Sequence, residues 1–308
     1  MHQSSRQELK VNGIKWIHIT KPSADDVTYI EKSFPFHPLV MESIGAPTLH
    51  PFVEEFDDHL FLILHFPLVF PGAQTNRIFE VDFLISKKIL VTITYSHFLR
   101  LDDIFKILVS DPKAQEQFTK KHSGFLLYHI IDRLLQEHIK DLDVLEKEVT
   151  RIEDKIFQKH MHLSVEEISH LRRDIIDFRR PLKPQITVLA SFRERAGKFF
   201  GEEMIPYFLD MSVNEERIVS IVENQKETMD VLYETHTSIM SDHISQIIRM
   251  LTIFSAIILP LSLIASLWGM NHAYMPLRDN PFDFWIVVGI MSVVAVSLLV
   301  FFRRKNWL

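Results

Sequence analysis

The chain has 308 residues, 47% of them hydrophobic and 24% charged, with a formal net charge of -6. That length allows two domains, and the balance suits a soluble body carrying a small membrane part. The acidic excess argues against a nucleic-acid binder, and the lack of cysteine excludes disulfides and thiolate metal sites.

The first segment, MHQSSRQELKVNG, has no apolar core of a secretory signal, which places the domain that follows in the cytoplasm. Residues 1–123 read as a mixed α/β domain. Residues 14–20 (IKWIHIT) alternate like a strand, and Ser23 offers a helix N-cap with Asp25 and Asp26 in the first turn. Residues 38–45 give a short helix. Residues 61–66, 78–85 and 89–95 are rich in β-branched and aromatic side chains and predict strands. Residues 101–108 return to helical spacing. There is no phosphate-binding glycine loop and no Gly-x-Ser-x-Gly elbow, so an enzyme has no foothold.

Residues 124–206 predict a helical hairpin. Residues 125–158 carry apolar side chains at three- and four-residue steps. Ser164 and Glu167 form a capping box that opens the second helix, which Pro181 and Pro184 are expected to bend or break. Gly201 and Pro206 close the pair.

From Pro206 to Pro260 there is neither glycine nor proline, so one helix is expected to run from about Met211 into the membrane. Its soluble stretch, residues 207–249, reads as a stalk. Ile218, Ile221, Val222, Leu232, Ile239, Ile244, Ile247 and Ile248 form an apolar side that a lone helix cannot bury, which predicts a bundle of several chains. Against Arg217, Lys226 and Arg249 stand Asp210, Glu215, Glu216, Glu223, Glu227, Asp230, Glu234 and Asp242. Such runs are usually solvated faces. Around a symmetry axis, each carboxylate would become a ring of like charge that a divalent cation relieves.

Residues 250–268 carry no charge and can cross a hydrocarbon core of ~30 Å. Thr252, Ser255, Ser262 and Ser266 share one stripe with Leu259, and Ser245 extends it a heptad back. In a lone span such hydroxyls bond back to their own helix; a regular stripe also fits a helix–helix contact or a wet lumen. Residues 284–302 form a second uncharged span, followed directly by Arg303, Arg304 and Lys305. The positive-inside tendency puts this tail, residues 303–308, in the cytoplasm with the N-terminal domain, and leaves residues 269–283 as the outer loop. Two spans cannot enclose water, so a pore would need several copies. Among the histidines, His160 and His162 have a weak metal-ligand spacing. His236 and His243 share a stalk face near Glu234 and Asp242, while His122, His129 and His138 follow no ligand pattern.

Gly269-Met270-Asn271 closes the first of two C-terminal spans and is followed by Tyr274-Met275-Pro276. This arrangement resembles the CorA family of magnesium transport proteins. The specificity lies in where the tripeptide stands, and residues 245–276 can be matched one by one. The resemblance implies an α+β cytoplasmic domain, a long stalk helix and two C-terminal spans, assembled as a homo-pentameric, funnel-shaped channel in the cell membrane. It implies Mg2+ as substrate and internal regulator, with cobalt and nickel as further ions, and no organic cofactor. Gly269, Met270 and Asn271 would form the selectivity entrance. Ser245, Ile248, Leu251, Thr252, Ser255, Leu259, Ser262 and Ser266 would line the pore, with Ile248, Leu251 and Leu259 as apolar constrictions. Asp230, Glu234 and Asp242 are the regulatory metal candidates, Glu234 lying on the same stripe as Ser245. One departure stands out: Leu277 and Arg278 follow Met275-Pro276 where relatives commonly carry a glutamate. Two other readings stay open, a zinc transporter of the ZntB branch and a sensor or scaffold merely tethered by its spans.

Overall fold

The structure, a computed structural model, describes residues 5–68, 77–158, 164–270, 281–305 and 307. The chain divides into two units, Met1–Tyr233 and Glu234–Leu308.

The first unit is built on six strands, β1 (Ser5–Val11), β2 (Ile14–Thr20), β3 (Phe52–Glu55), β4 (Leu60–Leu68), β5 (Arg77–Ile85) and β6 (Ile89–Thr94). Their order is β1-β2-β6-β5-β4-β3, antiparallel throughout except for the parallel pair β2 and β6. Alternation sorts the side chains onto two faces. Ile17, Ile19, Phe61, Ile63, Leu84, Val91 and Ile93 pack under α1 (Ala24–Ser33) and α2 (Pro38–Ser43). Trp16, Leu62, Leu64, Phe66, Val81 and Phe83 join a larger core with the long helices. Both faces are covered, which is why β4 reads as a nearly unbroken apolar run and why even Glu80 and Asp82 of β5 are buried.

Ser23 caps α1 with the reciprocal bonds of a capping box to Asp26. β1 was not predicted, because its polar sequence, SRQELKV, lies on a sheet edge. The turn that pairs it with β2 is nevertheless readable. Asn12 and Gly13 both have positive φ, 51° and 79°, as a two-residue hairpin turn requires. The short edge strand β3 was also missed.

Beyond the sheet come α3 (Leu99–Ser110), α4 (Pro112–Phe118), α5 (Ser123–Phe157) and α6 (Val165–Phe200). Arg100 of α3 grips Asp141 of α5 with two bonds of 2.7 and 2.6 Å. α6 corrects one expectation: it passes through Pro181 and Pro184 without a break. The residues around them, Phe178, Leu182, Gln185 and Leu189, are buried on one face, so packing holds the helix where the ladder is weakened.

A single helix, α7, runs from Ile205 to Trp268, with Pro206 in its first turn. Within the first unit it buries Phe208, Met211, Glu215, Ile218, Val222, Met229 and Leu232, a repeat of three and four residues. The second unit holds the rest of α7 and α8 (Asp283–Arg304). Each helix is long and apolar enough to cross a membrane, and only 6% of either apolar window is buried within the chain.

Candidate functional site

At one end of α7, Gly269 still donates to the Ala265 carbonyl at 2.9 Å, and Met270 donates to Leu267 at 3.4 Å. A Cβ at Gly269 would stand 3.3 Å from the Ala265 oxygen, tighter than ordinary contact, so the residue type suits the close turn of backbone. Asn271 lies outside the described residues, as do Tyr274, Met275, Pro276, Leu277 and Arg278.

The eight residues expected to line a pore, Ser245, Ile248, Leu251, Thr252, Ser255, Leu259, Ser262 and Ser266, are all exposed in the chain. Ser245 donates to the Ser241 carbonyl at 2.9 Å and Thr252 to Ile248 at 2.8 Å, so these hydroxyls are satisfied by their own helix. The more covered side of the same stretch carries buried Ile253 and half-buried Ile257, Pro260, Ile264 and Trp268. At 3.6 residues per turn the two stripes are centred roughly 160° apart. The hydroxyl stripe is therefore the side of α7 that its own chain leaves bare.

The regulatory candidates do not converge. Asp230 accepts from Arg172 and Lys226, each at 2.8 Å, and these bonds hold its carboxyl below the usual range, Lys226 first. Asp242 accepts from Gln246 at 2.7 Å, and Glu234 is exposed. Among the described residues, no group of three or more histidine or acidic side chains is placed to hold a metal. His160 and His162 lie outside the described residues. His236 is buried while His243 is exposed, so the pair does not present one open face. His122 caps α5 by accepting from the Gly124 amide at 3.2 Å, and His129 stacks on Phe118. His138 is enclosed between Phe66 and Phe178, and burial, then Arg100, pushes its pKa down to about 3.

The stalk acids also separate into different environments, which the sequence did not show. Glu223 takes Arg179 and Lys183, whereas Glu215 is wholly buried. Asp210 accepts from Tyr128 at 3.0 Å. Nearby Asp132 of α5 is pushed above the usual carboxylate range by burial and then by Asp210. This half-buried acid facing a like charge was not singled out from sequence, because its two members lie in different helices.

The description "CorA-like Mg2+ transporter protein" matches residues 11–304. The chain belongs to this family. It is a transporter of magnesium and related divalent cations, and transport is the family's activity. The cobalt/magnesium transport protein CorA of Thermotoga maritima is 26% identical over 95% of this chain and 83% of its own length. The zinc transport protein ZntB of Yersinia enterocolitica is 17% identical over 95% of this chain and 88% of its own length. The solved CorA magnesium transporter of Methanocaldococcus jannaschii superposes with a TM-score of 0.81 at 24% identity, covering 96% of this chain and 92% of that one. The fold is thus an α+β domain, a long helix and two C-terminal apolar helices.

Proposed function

We propose that copies of this chain assemble around an axis, as a pentamer by family resemblance, into a channel for magnesium. The observation that carries this reading is the bare hydroxyl stripe of α7, turned away from the residues the chain itself covers. In this reading the domains are cytoplasmic α/β 1–123, hairpin 124–206, stalk 207–249, spans 250–268 and 284–302, outer loop 269–283 and tail 303–308. Both termini face the cytoplasm, following Arg303, Arg304 and Lys305 after the second span.

Magnesium releases its waters reluctantly, so a carboxylate cage that stripped them would hold the ion too long. A ring of Asn271 carboxamides would accept hydrogen bonds from the hydrated ion at small cost in either direction. Gly269 and Met270 set the turn that presents it. Ser245, Thr252, Ser255, Ser262 and Ser266 would wet the lumen, while Ile248, Leu251 and Leu259 would close it by excluding water. Pro260 leaves the Ala256 carbonyl without its usual amide donor, which a wet axis tolerates.

Internal magnesium would regulate the assembly by bridging carboxylates between copies. Exposed Glu234 and Asp242 and the repelling pair Asp132 and Asp210 suit that role better than Asp230, which is already neutralised. The likeness to the cobalt/magnesium protein of Thermotoga maritima supports magnesium and cobalt as cargo; the more distant likeness to ZntB keeps zinc as the second reading. Flux into proteoliposomes with magnesium, cobalt, nickel and zinc in parallel separates them. We expect magnesium and cobalt to pass and Asn271→Ala to abolish magnesium flux in an intact oligomer. Zinc flux with no magnesium flux favours the second reading, and flux of none defeats both.

A further inference from the structure

Glu215 is the one stalk carboxyl that the fold has enclosed. It sits on the face of α7 between Met211 and Ile218 and has no exposed surface. Its single hydrogen bond comes from Gln185 Nε2 of α6 at 3.2 Å, and its Oε2 has no partner among the described residues.

The orientation of Gln185 is fixed from its other end. β3 begins only at Phe52, opposite Ile63, so β4 continues beyond Ile63 without a β3 partner. At that edge the His65 amide donates to Gln185 Oε1 at 2.7 Å. The amide of Gln185 must therefore turn its NH2 toward Glu215. On the same strand pair, His65 Nε2 lies 3.2 Å from Glu80, which also takes the Thr48 amide through both oxygens at 2.9 and 2.7 Å. Asp82, two residues on, accepts from Tyr95 at 2.7 Å. A line of buried polar groups thus joins α7, through α6, to the edge of the sheet.

We propose that Glu215 is a proton-operated latch: neutral, it lets α7 pack over α6, and loss of its proton loosens α7 there. A buried carboxylate with one neutral donor has nothing to repay its desolvation. Burial pushes its pKa up to about 8, only Gln185 opposing, and among the described residues no charged side chain of α5, α6 or the sheet is bonded to it. The other titratable groups of the line are His65, Glu80, Asp82 and Tyr95, and they reach Glu215 only through the neutral amide of Gln185.

The sign follows from linkage. The folded-state pKa lies above the unfolded value of 4.5, so the contribution to stability is whole below 4.5 and is lost as pH rises through about 8. Any effect on transport rests on the stalk reading above; the loosening of α7 does not.

The test is hydrogen exchange of the full-length protein in detergent, following α7 amides around Met211 to Val222. Wild type is compared with Glu215→Gln and Glu215→Leu at each pH, which cancels the intrinsic rate. The wild-type rate relative to either variant is expected to rise roughly thirtyfold between pH 6.5 and pH 9 for openings that expose Glu215. A ratio that stays constant across that range, with whichever neutral variant folds, overturns the proposal.

Discussion

Two stretches of one helix carry the same kind of residue and meet opposite surroundings. Ile218, Val222, Met229 and Leu232 of α7 are buried, none more than 4% exposed. Ile244, Ile247, Leu251 and Ile258, on the same helix, are each more than half exposed. Composition does not separate them, since both stretches carry apolar, mostly branched aliphatic side chains on a helical repeat. Cover does. The first stretch has α5 and α6 to bury against, and the second needs lipid or other copies of the chain.

The largest effect that would test this contrast is a core truncation in the first unit. Phe178 is fully buried, edge-on to His138, and Phe178→Ala is expected to cost about 3–5 kcal/mol. Calorimetry of the full chain in detergent checks it. Ile247→Asn should instead leave that transition in place, because Ile247 is 66% exposed and lies outside the core of the first unit. Its expected effect is on assembly: light scattering should show a smaller oligomer. An unchanged oligomer would mean that this side of α7 faces solvent or lipid, and the contrast would lose half its meaning.

Much of this was legible in sequence wherever a local rule decides the outcome. The strands β2, β4, β5 and β6, the N-caps at Ser23 and Ser164, and both apolar spans follow from periodicity, hydropathy and caps. The failures share a cause. Pro181 and Pro184 looked like a break because propensity is local, while the packing that overrides it comes from distant β4 and the α7 core. Glu215 looked like one member of a solvated acidic face because nothing in its neighbours announces that α6 covers it. β1 was hidden by its polar side chains, although Asn12-Gly13 signalled the hairpin. For the proposed ion pathway, spacing supplied the stripe, and the role proposed for Asn271 comes from the family resemblance alone.

An intermediate effect is expected from the ion itself. If bridged carboxylates hold the stalks of neighbouring copies together, chelating magnesium should expose the stretch from Gly201 to Arg249 to protease. Millimolar magnesium should restore protection. Asp132 and Asp210 already press on each other within one chain, so loss of a cation there leaves repulsion unrelieved. Identical digestion with and without magnesium would remove regulation by internal ion, and leave the pore reading untouched.

The smallest effect concerns charge at the far end of the exposed stretch, where the stalk's acidic excess gives way to a mixed loop. Residues 269–283 contain Asp279 and Asp283 against Arg278, a net charge of -1 with His272 neutral. A ring of arginines near an entrance lowers the local concentration of divalent cations, whereas a ring of glutamates raises it. Screening over about 8–10 Å at ordinary ionic strength limits this to charges close to the axis. Arg278→Glu is therefore expected to raise uptake at low external magnesium by roughly two- to tenfold, within the range of electrostatic steering, and to lose that gain as salt rises. Initial rates of uptake at two salt concentrations measure it. A gain that persists at high salt would point to a local change at the selectivity turn. No gain at low salt would place Arg278 away from the mouth and leave ion capture to Asn271 alone.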